Sequence, residues 1–305
     1  MKISLLQLLS LAIALIFAGP VARSQSWDTY LARYDNGLGS VQLNMDLVRS
    51  SSRTTLPFLV ITGVTYHDRT GDGFPTHREF KKLYRLTRDI NRLILKETQP
   101  GAQTKSDPLK SSWSVHAGTF TFQGQRLDYI YVVDTVGLRE KLKRCYTKKY
   151  PRYDYQIQLT HDPEWDAYTS FLYPNEEVRT FMMNERAITR LNDAGDVLSR
   201  PRFVEHRIYF DTREDREYFI RYIGRVNYDI KDEREIKGDR LRYQVLLAKF
   251  GTVSLEEMND QTTYLSTKAR EFHGVYEGWQ TKLMGTKPQF HLLYNPIADP
   301  TNTSK

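Results

Sequence analysis

One cysteine, Cys145, occurs in 305 residues, so no internal disulfide can form and stability outside a reducing compartment must come from packing. Long apolar runs are also scarce. Only Leu5–Ala18 stands out, and it is shorter than the ~20 residues a comfortable membrane span needs. A Gly-x-Ser-x-Gly elbow, a phosphate-binding glycine loop, a zincin helix and paired-cysteine metal ligands are all missing. Those gaps remove the commonest hydrolase, nucleotide and zinc chemistries. Nor are there basic runs of histone or ribosomal density. The net charge of +7 is spread along the chain, and Lys2 and Arg23 supply two of it in a segment expected to be removed, leaving +5. A nucleic-acid partner is therefore not required.

What is present reads as globular. Charged residues at 27% and apolar residues at 40% are ordinary for a folded chain, and 305 residues suit two domains or one large one. Residues 1–24 have the layout of a secretory signal: Lys2, an apolar core, then Ala22-Arg23-Ser24 as a small-x-small site, with cleavage expected after Ser24. No cysteine stands near that site, which argues against a lipoprotein anchor. The expectation is a secreted or periplasmic protein with no stable membrane span once the signal is gone.

The stretch Arg202–Leu283 carries the clearest domain pattern. Val204, His206, Ile208 and Phe210 alternate with polar residues, as in a half-buried strand. Thr212 and Asp215 cap a helix through Phe219, Tyr222, Ile223 and Val226, which Gly224 can stop. Two strands follow around Lys237-Gly238-Asp239, and Ser254 with Glu257 opens a second helix. Gly274 ends it. Val275, Trp279, Thr281 and Leu283 are expected on one face of a last strand. The order is βαββαβ, the ferredoxin-like α+β plan of two helices on an antiparallel sheet. A Trp at position 279 is well explained by burial, and Gly278 by a bulge or a close backbone approach.

The first half repeats the plan. A hairpin around Asn36-Gly37 is followed by the apolar strand Phe58–Tyr66 and the loop His67–Pro75. Thr76 and Glu79 then cap a helix with the stripe Phe80, Leu83, Thr87, Ile90 and Ile94. A hairpin around Gln123-Gly124, a helix from Leu138, a strand over Tyr153–Thr160, and helices over Glu164–Tyr173 and Glu176–Leu191 complete it. The expected organisation is a domain over 27–192, a linker over 193–201, a domain over 202–284 and a tail over 285–305, with Thr301–Lys305 disordered.

Two resemblances sit on short motifs. At Tyr276, Glu277, Gly278 and Trp279, with the Val204-Glu205-His206 opening, the last third resembles the regulator of ribonuclease E activity B (RraB-like) family of small bacterial proteins. That resemblance implies a non-catalytic inhibitor that binds a ribonuclease. Members are markedly acidic, whereas Arg202–Leu283 balances 15 Lys/Arg against 15 Asp/Glu, so the acidic binding character is not carried over. At Trp27 with Tyr30, the Gly73-Phe74-Pro75-Thr76 turn and Glu79, the first half resembles the bacterial domain of unknown function six-nine-five. It implies no activity.

Other chemistry is sparse. The pairs His67-Asp68 and His161-Asp162 could hold a divalent ion, but adjacent strand residues point to opposite faces and no further ligands are spaced to join them. Lys141, Lys143, Arg144, Lys148, Lys149 and Arg152, interleaved with Tyr146, Tyr150 and Tyr153, form a basic-aromatic run that could meet RNA. Cys145 falls on the apolar stripe of that helix and reads as a small buried hydrophobe. The leading expectation is an exported, non-enzymatic binding protein with no cofactor, metal or catalytic residue and with an unidentified protein partner. The alternatives are a metal-assisted hydrolase using the two His/Asp pairs and a weak RNA-binding module.

Overall fold

The computed structural model describes residues 26–34, 36–50, 55–99, 113–238, 240–285 and 292–296. The proposed signal and the Thr301–Lys305 end lie outside them, as does Asp239 of the expected turn. The chain divides into two compact units, residues 1–173 and 174–305.

In the first unit, β1 (Trp27–Tyr34) and β2 (Gly37–Asn44) form the expected hairpin. The repeat then runs β3 (Phe58–Thr65), α1 (His77–Thr98), β4 (Ser114–Phe122), β5 (Gln125–Val132), α2 (Leu138–Lys149) and β6 (Asp154–His161). The sheet order is β1-β2-β4-β5-β3-β6, antiparallel throughout. Its last four strands are the ferredoxin-like arrangement, and the hairpin extends the β4 edge. One face, with Val60, Val64, Ile130 and Val132, packs on Leu83, Leu86, Ile90 and Ile94 of α1 and Leu138, Leu142 and Tyr146 of α2. The stripe on α1 differs at its start: Glu79 is buried and Phe80 exposed, because Tyr153 donates its hydroxyl to Glu79 and holds that carboxylate inward.

The opposite face is closed by aromatic rings. Trp165 stacks on Tyr131 at 3.8 Å, its indole N–H donates to the Leu56 carbonyl at 2.9 Å, and Tyr168 donates to the Asn44 carbonyl at 2.8 Å. The helix expected over Glu164–Tyr173 is instead one π-helical turn, Ala167–Leu172. Asp162 explains it: its carboxylate accepts from the backbone N–H of Asp166 and Ala167 and from the Tyr131 hydroxyl, which tightens the turn against the sheet.

In the second unit, β7 (Arg202–Phe210), α4 (Arg213–Ile223), β8 (Asp229–Glu235), β9 (Tyr243–Gly251), α5 (Leu255–Glu271) and β10 (Gly274–Lys282) follow the expected order. The sheet runs β11-β10-β7-β9-β8, so its last four strands repeat the ferredoxin-like order. The fold is mixed α+β with two antiparallel sheets. Two boundaries differ from the sequence reading. β11 (Leu292–Pro296) pairs with β10, so the expected tail contributes an edge strand. The helix α3 (Glu176–Asp193) belongs to this unit, since Ala187 and Leu191 pack with Val204, Val253, Met258 and Trp279. The expected linker 193–201 is folded as well. Asp196, inside it, takes a bidentate pair from buried Arg202 at 2.6 and 2.7 Å and accepts from the Met284 N–H.

Candidate functional site

The residues that carry the closing motif are arranged by a bulge. Tyr276 and Trp279 are three apart, an odd spacing that puts two strand residues on opposite faces. β10 shifts its register against β7 between Tyr276 and Gly278, and the extra residue turns both rings into the core. Gly278 sits there at φ 155°, in backbone that favours glycine. The expected face of Val275, Trp279 and Thr281 is corrected accordingly: Val275 points out and Tyr276 replaces it inside.

Each inward ring ends in a buried polar chain. The Trp279 indole donates to Asn184 Oδ1 at 2.8 Å, and Asn184 Nδ2 donates to Asn259 Oδ1 and Thr262 Oγ1, both at 2.9 Å. Tyr276 pairs with His206 Nδ1 at 2.8 Å, and His206 Nε2 meets Gln261 Oε1 at 2.9 Å. With the amide in this orientation Nε2 carries the proton and Nδ1 accepts from the tyrosine. Full burial keeps the imidazole neutral and pushes its pKa down to about 4, the nearby Lys249 charge adding to the effect and the Gln261 contact opposing it. None of Asn184, His206, Gln261 or Asp196 is legible as a partner from spacing, because each pairs with a residue on a different element.

Among the described residues of this unit, no helix packs on the other face of the sheet. Phe203 and Phe250 lie opposite each other on β7 and β9, edge to face at 5.2 Å, and are 47% and 60% exposed. Beside them Arg207 reaches Glu277 at 3.3 Å and Gln280 at 3.5 Å, while Gln280 donates to Glu205 at 2.6 Å. This is an apolar pair rimmed by charges of both signs.

In the first unit the motif residues form a clasp. Gly73, at φ +81°, accepts from Gly124 N–H at 3.0 Å and from the Tyr66 hydroxyl at 2.9 Å. A Cβ on Gly73 would stand 3.1 Å from Gln123 Cα, so the loop needs glycine to lie against that turn. Pro75 forms an isolated bridge with Arg69 across the same loop. Thr76 caps α1 by accepting from Glu79 N–H at 3.3 Å, and the Glu79 carboxylate takes Lys82 at 2.6 Å as well as Tyr153. All three motif positions are engaged in holding the loop and the helix start.

Residues 25–173 match a family of unknown function (DUF695), and residues 182–281 match regulator of ribonuclease activity B. The chain is thus an N-terminal DUF695 region fused to an RraB-like region. No curated protein matches it. The RraB-like match begins inside α3, eleven residues before the first expected boundary residue of the linker and within the helix that carries Asn184.

The two His/Asp pairs of the DUF695 region do not meet. His161 pairs in register with Phe58 at the start of β3, whereas His67 follows its far end at Thr65, a separation on the order of 20 Å at ~3.3 Å per residue. Asp162 is already committed to the π-helical turn. Among the described residues no group of three or more His, Cys, Asp or Glu side chains could hold a metal ion, and no helix is long and apolar enough to cross a membrane. The tyrosines of the basic run are likewise spent: Tyr146 is buried and bonded to Thr62, Tyr150 donates to Asp89 and Tyr153 to Glu79. Cys145 is partly buried against the helical core, and burial raises its thiol pKa. That makes it a poor nucleophile.

Proposed function

We propose that this chain is an exported, non-catalytic regulatory protein that binds a protein partner through the open sheet face of its RraB-like region. The observation that carries the reading is the exposed Phe203–Phe250 pair beside the Arg207–Glu277–Gln280–Glu205 network, on a region whose family is described as regulating a ribonuclease. Apolar anchors ringed by charge suit a protein surface, with the rim setting orientation. A secretory leader over residues 1–24 supports export, and export directs attention to envelope partners. The test is a photo-reactive residue at position 250, cross-linked in living cells. A discrete adduct should form and should vanish with Phe203→Asp, while persisting with the remote Arg144→Glu. Adducts indifferent to Phe203→Asp would refute the reading, and a leader retained on protein from fractionated cells would refute export.

A second reading is favoured by one observation. Helices α1 and α2 of the DUF695 region carry thirteen Lys/Arg against four Asp/Glu, a net +9 on one layer. Such a layer attracts a polyanion through its backbone charges. Binding of a homopolymeric RNA should then weaken steeply with salt. Absence of binding at low ionic strength would remove this reading.

A further inference from the structure

The helix-covered face of the first sheet holds a buried cation, Arg126, that makes no direct salt bridge among the described residues. Arg126 on β5 is 7% exposed; its guanidinium donates from Nη1 to Thr121 Oγ1 at 3.3 Å, and Nε has no hydrogen-bond partner among the described residues. Its ring neighbour is Phe80, 5.6 Å from the guanidinium carbon. Asp128, two residues along the same strand face, is its counter-charge through space, each favouring the charged form of the other without a direct hydrogen bond between them. Asp128 accepts from Thr119 Oγ1 at 2.7 Å and faces His116 Nε2 at 3.3 Å. A buried guanidinium with so few hydrogen bonds is costly, and a bound anion would add the bonds that Asp128 does not supply.

A cavity of about 430 Å³ opens beside it. That volume lies in the range of small-molecule sites. It is lined by Trp27 from β1, by Tyr84 and Arg88 from α1, and by His116, Thr119 and Arg126 from β4 and β5. Thr87, also lining it, is buried with its hydroxyl unpartnered. Trp27 is held against the His116 ring at 5.1 Å. The cavity therefore joins two aromatic rings, Trp27 and Tyr84, with two arginines, Arg88 and Arg126, in its lining.

The chemistry favours a carboxylate over a phosphate. Phosphate sites gather several backbone N–H groups at a helix start or glycine loop. Here the helical residues, Tyr84, Thr87, Arg88 and Asn91, come from the interior of α1, and no glycine lines the space. One planar guanidinium fork matches one planar carboxylate, and aromatic walls suit an apolar body behind it. We propose that this cavity is a binding site for a small organic acid, with Arg126 taking the carboxylate and Trp27 and Tyr84 flanking the apolar part. The site lies in the DUF695 region and stands or falls apart from the proposed docking face.

The experiment uses the full chain with labelled indole nitrogens, following the Trp27 N–H resonance during titration with benzoate. Benzamide serves as the neutral isostere and inorganic phosphate as the competing anion source. The expected result is a saturable Trp27 shift with benzoate alone, weakened about tenfold in Arg126→Gln. The Trp165 and Trp279 resonances should stay in place, which reports an intact fold. If Arg126→Gln does not fold, the half-exposed Arg88→Gln should still weaken benzoate to a smaller degree, and the benzoate–benzamide contrast decides by itself. No saturable shift, an equal response to benzamide, a response to phosphate but not benzoate, or undiminished binding in the Arg126 variant would each overturn the proposal.

Discussion

The DUF695 and RraB-like regions share one strand order and treat it differently. In the first, both sheet faces are covered: helices on one side, the Trp165–Tyr168 turn on the other. In the second, one face keeps its phenylalanines in solvent. The edges differ in the same spirit. The first sheet is lengthened beyond β4, its second repeat strand, by the N-terminal hairpin, while the second is lengthened beyond β10, its fourth, by β11. Unpaired edges invite association, and each region protects a different one. The difference teaches that a common plan leaves open which face and which edge are available for a partner. Buried arginines are paired differently in the two regions: Arg202 takes both oxygens of Asp196, whereas Arg126 donates to a threonine hydroxyl, and each leaves its Nε without a hydrogen bond.

Four experiments would break or sharpen that comparison. The largest effect is expected from Asp196→Ala, which strands the buried Arg202 charge; denaturant unfolding should show ~3–5 kcal/mol lost from the second region only. Loss shared equally by both regions would mean that they do not unfold separately. Next is pH. His206 folds with its pKa pulled to about 4 from an ordinary 6.5, so between these values the unfolded chain binds a proton that the folded one refuses. Stability of the second region should therefore fall as pH drops from 6.5 to 4, by about 3 kcal/mol, and level off below. His206→Gln should flatten that window, and an unchanged slope would point to another group. Smaller is Asn184→Ala, which leaves the Trp279 N–H unpartnered and should cost ~1–3 kcal/mol in the same assay. Smallest is Thr76→Ala, which removes the α1 cap and should cost ~1 kcal/mol in the first region, leaving the second unmoved.

Much of the architecture is legible in the chain because alternation and helical stripes report directly on burial. Val204, His206, Ile208 and Phe210 announce β7, and Ser254 with Glu257 announces the start of α5, where the serine accepts from the Glu257 N–H. The candidate face is less legible. Phe203 and Phe250 are far apart in sequence and become neighbours only through the β7–β9 register. The Arg126 cavity gives no sequence signal at all, since an alternating strand pattern marks position 126 as inward without saying which residues of β1 and α1 meet it there.

The order of strands and helices, their caps and the inward residues follow from local periodicity and capping chemistry, and these the amino-acid sequence determined by itself. Tertiary structure decided the rest: that α3 packs with Trp279, that Asp196 closes onto Arg202, that a bulge brings Tyr276 and Trp279 to one face, and that His67 and His161 stand at opposite ends of β3. The physical reason is that a stripe or an alternation specifies that a surface is buried, whereas its partner is chosen by a free-energy balance among all the surfaces of the chain.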